Sequence, residues 1–192
     1  MKTDIILAGV GGQGILTIAA AIGFASLYEK KFVKQAEVHG MSQRGGAVQS
    51  HLRISDKPIA SDLIPLGSAD LILSVEPMEA LRYLPYLAKN GWVVTNSVPF
   101  ENIDDYPSIS RIKEGYFELP NSKWLDADQL ARDCHSPKSS NIVMLGAASH
   151  YLGLSFDSLK VGVEQVFNKK GKEVVDDNLR ALDTGRNSSL QL

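Results

Sequence analysis

Two hydrophobic patterns alternate along the chain. A short apolar run, Ile5 to Ala8, and the mostly apolar "ADLILSV" over 69–75 have the form of buried strands, and "WVVTNS" over 92–97 reads as another strand. "FVKQAEV" (32–38) and "AVQSHLRIS" (47–55) read as two further strands, the latter with a period-two pattern. No helical segment lies between this pair, so the pattern predicts an antiparallel hairpin within a mixed sheet. Longer stretches predict helices: Ile15 to Tyr28, "PMEALRYLPYLA" (77–88), "ADQLARDC" (127–134), "IVMLGAASHYLG" (142–153) and "SFDSLKVGVEQVFNKK" (155–170). Asn141 is expected to cap the fourth of these and Ser155 with Asp157 to open the fifth, while a last helix from Gly171 fades into a polar tail of about ten residues. A short strand is expected around Trp124, and the proline-bearing segment 98–110 as a surface excursion. The alternation predicts one α/β domain over 1–192, a three-layer Rossmann-like fold with a mostly parallel, mixed sheet.

The first strand and helix are joined by Gly9-x-Gly11-x-x-Gly14. Glycines there permit a tight turn, and the helix N-terminus behind them offers free amides and a positive dipole end to an anion. The same glycines also serve close strand–helix packing, so the motif alone leaves both readings open. A dinucleotide site adds an acid at the end of the second strand, and Glu37 stands 23 positions after Gly14. The polar run His39 to Gly46 that follows has no counterpart in that scheme. Both segments are expected at the carboxyl ends of neighbouring strands, sharing one site.

Composition narrows the classes. With 20 Lys and Arg against 22 Asp and Glu, the net charge of −2 gives no electrostatic case for nucleic acid. No apolar run reaches the ~20 residues of a membrane span, and the chain enters its first strand without a secretory signal, which points to the cytoplasm. Cys134 is the single cysteine, so a four-cysteine iron–sulfur site within the chain is excluded. It reads as a structural residue at a helix end. His135 beside it does not by adjacency make a catalytic pair, and His51 within a strand reads as structural.

"GVGGQGILTIAAAIG" (9–23), "VKQAEVHGMSQRGGAVQSHLRIS" (33–55), "SADLILSVEPMEALRYLPYL" (68–87) and "NIVMLGA" (141–147) together resemble the gamma-type domain of 2-oxoacid:ferredoxin oxidoreductases. The form "QAEVHGMSQRGG", with the segments at 68–87 and 141–147, most resembles the small subunits of the indolepyruvate type. The resemblance covers about three quarters of the chain and omits 98–121 and the C-terminal tail. It implies an accessory subunit, inactive alone. The enzyme would convert an aryl 2-oxoacid, coenzyme A and oxidised ferredoxin to an aryl-acetyl-CoA, carbon dioxide and reduced ferredoxin. Thiamine diphosphate and the iron–sulfur clusters would reside on a large alpha subunit, because this chain carries no thiamine signature and too few cysteines.

By the same resemblance Gly11, Gly12, Gln13 and Gly14 would supply a backbone cradle for a cofactor such as coenzyme A, with Glu37, Ser42, Gln43, Arg44 and Gly45 as further cofactor-site candidates, Glu37, Ser42 and Gln43 equally completing the polar loop or contacting the partner. Arg44 has the planar fork for a carboxylate or phosphate and equally for an intersubunit ion pair. His39 has a reference pKa suited to proton transfer and equally shapes the loop by hydrogen bonding. Three alternatives stay open: an NAD(P)- or FAD-binding oxidoreductase built on Gly9, Gly11, Gly14 and Glu37; a subunit for another 2-oxoacid such as pyruvate or 2-oxoisovalerate; and an assembly protein whose glycine turn holds no ligand.

Overall fold

A computed structural model of the chain describes residues 1–39, 46–101 and 103–190, apart from the side chains of His39 and Phe117. Its centre is β1 (Lys2–Val10), whose residues from Thr3 onward are all buried. The described residues form six strands in one sheet, ordered β2 (Phe32–His39), β3 (Ala47–Ser55), β1, β4 (Ala69–Ser74), β5 (Leu87–Asn96) and β6 (Ser122–Leu125). β1, β4, β5 and β6 pair in parallel, and β3 runs antiparallel to both β2 and β1. The three-layer, mostly parallel mixed sheet and the β2–β3 hairpin are as the pattern predicts.

The two-residue period of the central strands sorts side chains between two cores. Ile5, Leu7, Leu71, Leu73 and Val94 face α1 (Ile15–Tyr28), α4 (Ala127–Asp133), α5 (Ser140–Ala148), α6 (Phe156–Phe167) and α7 (Lys172–Leu190). Ile6, Ile72 and Val93 face the smaller layer of α2 (Pro77–Arg82) and α3 (Ile109–Phe117). The larger layer is packed at very close range. A Cβ on Gly162 would come 2.1 Å from the Ala21 carbonyl oxygen, and one on Gly185 would come 1.9 Å from that of Val143. Glycine at these two sites lets α6 lie against α1 and α7 against α5.

Several expected boundaries move. The predicted helix 77–88 ends at Arg82, continues as a 3₁₀ turn over Leu84–Tyr86 and gives way to β5, which starts at Leu87 instead of Trp92. Gly91 lies inside β5, where a Cβ would fall 2.7 Å from the Ala69 carbonyl oxygen, so the strand tolerates only glycine there. The excursion after β5 contains α3, capped by Ser108, whose hydroxyl accepts from the Arg111 amide. The expected tail is helical through Leu190, with Ala181, Leu182, Gly185 and Ser189 buried. That face of α7 packs on α5, a contact that its polar composition hides.

The buried carboxylate of Asp4 is paired. Asp4 is fully buried and takes two hydrogen bonds from Arg53, at 2.8 and 3.1 Å, while Lys2 lies 2.7 Å from it. Arg53 also donates to the carbonyls of Ser61 and Leu63, fastening the irregular segment after β3. His51 is buried as a structural residue. Its Nδ1 accepts from the Ile64 amide at 2.9 Å, and its ring meets Tyr86 edge-on at 5.3 Å.

Candidate functional site

The glycine turn between β1 and α1 divides its work among its residues. Gly9 is held by packing, since a Cβ would strike the Val75 side chain at 2.5 Å. Gly12 and Gly14 take positive φ values of 100° and 81°, which an L side chain rarely adopts. Gly14 is also the N-cap of α1. Gln13 turns its side-chain oxygen inward to accept from the Val10 amide at 2.7 Å, so this acceptor stabilises the turn itself.

The Gly11 amide donates to the Gly46 carbonyl oxygen at 2.9 Å. This bond ties the glycine turn to Gly46, the residue before β3. The glycine turn and the polar run, one after β1 and the other after β2, do not leave neighbouring strands, however: β3 stands between β1 and β2, and the register sets Glu37 opposite Ser50 of β3. Two strand spacings, roughly 10 Å, therefore separate β2 from β1. A nicotinamide or flavin site needs the acid-bearing strand directly beside the glycine strand, so the NAD(P)/FAD alternative loses its geometry. Glu37 is half-buried on β2 and does not line the cleft described next. The backbone of His39 closes β2; its side chain and Ser42, Gln43, Arg44 and Gly45 lie outside the described residues.

A cleft of about 720 Å³ opens beside the turn. Gly12, Gln13, Gly14 and Thr17 form one wall, the segment Pro137 to Asn141 forms a second, and residues from Phe167 to Asn178 form the third. The second wall is held from behind by Ser136, whose hydroxyl donates to the Asp177 carbonyl oxygen at 2.9 Å and whose amide donates to that of Ala131. Asn141 does not cap α5 as its position suggests. The N-cap is Ser139, and the Asn141 side-chain amide donates to the Gly14 carbonyl oxygen at 3.2 Å. The first turns of α1 and α5 thus meet at one end of the cleft, a pairing of two positive helix ends that suits an anion. Lys138 and Lys170 line the same cleft. Lys138, Ser139 and Lys170 escape a motif-based reading because they sit in unremarkable sequence; the Ser-Ser-Asn run at 139–141 is the one local hint of a helix start.

A second polar cluster follows β4. Glu76 is fully buried, caps α2 by accepting from the Glu79 amide at 2.8 Å, and accepts from the Tyr106 hydroxyl. Burial, with the Glu76 hydrogen bond and charge adding to it, holds the Tyr106 phenol far above its ordinary pKa, so it stays a donor. This bond fastens the excursion after β5 to the sheet. Cys134 is half-buried against the larger core and donates weakly to the Ala131 carbonyl at 3.4 Å, consistent with a structural thiol. No described helix is long and apolar enough to cross a membrane.

Comparison with known proteins places this geometry in a family. The profile described as pyruvate ferredoxin/flavodoxin oxidoreductase matches residues 4–188. Indolepyruvate oxidoreductase subunit IorB of Pyrococcus horikoshii is 40% identical over 190 residues, covering 95% of this chain and 93% of its own. The subunit of the same name from Thermococcus kodakarensis is 38% identical, with the same coverage. Among solved structures, the 2-oxoglutarate:ferredoxin oxidoreductase of Magnetococcus marinus, with 2-oxoglutarate, coenzyme A and succinyl-CoA bound, superposes with a TM-score of 0.79 at 24% identity. All of this chain is covered there, corresponding to 31% of that longer chain. The gamma subunit of a keto/oxoacid ferredoxin oxidoreductase from Geobacter sulfurreducens matches end to end, 99% of each chain, with a TM-score of 0.70 and 23% identity. The structural likenesses establish the shared fold. By the profile and by identity along nearly its whole length, the chain belongs to the pyruvate ferredoxin/flavodoxin oxidoreductase family.

Proposed function

We propose that this chain is the accessory subunit of an indolepyruvate-type (arylpyruvate):ferredoxin oxidoreductase. The complex oxidatively decarboxylates an aryl 2-oxoacid in the presence of coenzyme A, releases carbon dioxide and an aryl-acetyl-CoA, and passes the electrons to ferredoxin. The observation that carries this reading is the near-full-length likeness to the subunits named for indolepyruvate, at 38–40% identity. Relatives named for 2-oxoglutarate and pyruvate are more distant, at 27% and 30%.

A large alpha subunit supplies thiamine diphosphate, which stabilises the carbanion left by decarboxylation, and the clusters that remove electrons. This chain contributes binding surface. The amides of the glycine turn and of the first turn of α5, with Lys138 and Lys170 nearby, match the phosphates of coenzyme A. By the family resemblance, Arg44 adds a two-pronged donor suited to a carboxylate or phosphate. The subunit acts in the cytoplasm.

The test is anaerobic purification of the tagged chain from its native host. A co-purifying large subunit bearing iron and thiamine diphosphate, with coenzyme A-dependent arylpyruvate oxidation, supports the reading. A solitary chain, or a complex that turns over only a different 2-oxoacid, overturns it. An Arg44→Ala chain that assembles normally but lowers turnover places Arg44 on the ligand side; loss of assembly places it at the subunit interface.

A further inference from the structure

We propose that the groove between α1 and the sheet edge at β2 seats an apolar-faced helix of the large partner subunit, which crosses α1 at Gly23. That this partner exists rests on the functional reading above. α1 carries no charged residue in its 14 positions. Leu16, Phe24 and Leu27 on its outer face are nevertheless 50%, 42% and 60% exposed, with Ala20 exposed between them. A surface helix ordinarily turns a charged or polar face to water, and a helix apolar all round is a buried one. Beside this stripe runs a groove of about 320 Å³, with Ala20, Gly23 and Leu27 on its helix wall and Val33 and Leu52 on its sheet wall.

Gly23 marks where a second backbone approaches. Glycine in mid-helix costs stability relative to alanine, and its use there is to let another backbone come close. Three other helical glycines of this protein follow that rule. A Cβ on Gly146, Gly162 or Gly185 would come 2.1, 2.1 or 1.9 Å from a carbonyl oxygen of the helix packed against it. Gly115 meets the Leu81 side chain at 3.0 Å. A Cβ on Gly23 would meet no described atom within 4 Å, and its φ is not positive, so neither packing nor backbone conformation within the described residues calls for glycine. Gly23 thus has the form of a crossing glycine whose facing helix belongs to another chain.

The sheet leaves that helix a place. β2 is the edge strand, paired with β3 on one side, and Val33 is only partly buried against the larger core. A helix packed about 8–10 Å from α1 would cover the outer stripe and the strand edge together, extending the larger helical layer by one member. The extent of the patch decides between occupants. From Leu16 to Leu27 the stripe runs about 16 Å. Its exposed apolar surface is on the order of a few hundred Å², short of the roughly 800 Å² per partner that a stable interface buries. A second copy meeting this stripe about a two-fold axis would therefore fall short, whereas a large subunit includes it in a wider contact.

The full chain and its large subunit, the latter identified by its iron and thiamine diphosphate, test the assignment. Gly23→Leu puts a side chain where the free chain has open space, so its urea midpoint should equal or exceed that of the wild type. Its affinity for the large subunit should fall about tenfold or more, and that of Leu27→Glu likewise. Hydrogen exchange of the wild-type chain over residues 16–36 should slow on assembly, a readout that needs no variant. Wild-type affinity in both variants, or exchange over 16–36 unchanged by assembly, overturns the docking assignment and leaves the functional reading standing. A wild-type chain that assembles with no large subunit overturns the functional reading and the named occupant with it. A dimer that Gly23→Leu dissociates gives the face to a second copy and overturns the docking assignment.

Discussion

The Asn141 side-chain amide donates to the Gly14 carbonyl oxygen at 3.2 Å, so two residues 127 positions apart join the start of α5 to the start of α1. A Cβ on Gly14 would come 2.4 Å from the Asn141 amide nitrogen, and Gly14 has a φ of 81°. The turn, the helix and the cleft wall are therefore one unit.

Disrupting that unit has a coupled cost. Gly14→Ala should destabilise the chain by about 1–3 kcal/mol through its backbone strain, before any clash with Asn141. Asn141→Ala should cost about 1 kcal/mol for the lost hydrogen bond. The double variant should cost less than the sum, because removing the amide clears the space a Cβ needs. Urea unfolding of the four proteins measures the coupling; strict additivity would mean that the contact is not made in solution.

Breaking the buried ion pair should be more damaging than any surface change. Arg53→Met leaves Asp4 buried with Lys2 alone and releases the carbonyls of Ser61 and Leu63. About 3–5 kcal/mol of stability should be lost, read as a lower urea midpoint. Proteolysis should then cut first within 56–66, the segment that Arg53 fastens.

Stability should fall as the solution is acidified below pH 6.5, the ordinary value for His51. Burial lowers its pKa, the Arg53 charge lowers it further, and Asp62 partly opposes both. The unfolded chain therefore takes up a proton on this residue at higher pH than the folded one does. Its neutral form contributes fully above the unfolded value, and that contribution is lost as pH falls through the depressed folded value. Denaturation midpoints at pH 8, 6.5 and 5.5 should decline in the wild type and decline less in His51→Gln, whatever the absolute stability of that variant. His150, lowered by burial and by Arg186, acts in the same sense.

Gly185→Ala tests the contact that the polar sequence of α7 conceals. The added methyl would meet the Val143 backbone oxygen at 1.9 Å, a position that backbone alone can relieve. A loss of about 1–3 kcal/mol is expected as α7 is pushed off α5. If α7 were loosely attached, thermal unfolding would not register the change.

The sequence by itself determined the elements whose cause is local. Apolar runs made β1 and most of β4, alternation made β3, and glycines between apolar segments marked the turn before α1. Neighbouring residues alone produce those patterns. The family resemblance was legible for the same reason, since its motifs are contiguous. Tertiary structure decided what depends on residues distant along the chain. The insertion of β3 between β1 and β2 separated Glu37 from the glycine turn, and only strand pairing sets that order. Asn141 became a clamp on Gly14, and Ser139 became the cap of α5 on the cleft wall, because α5 docks against α1. Periodicity states which residues are buried; which surfaces bury them is chosen by packing across the whole chain.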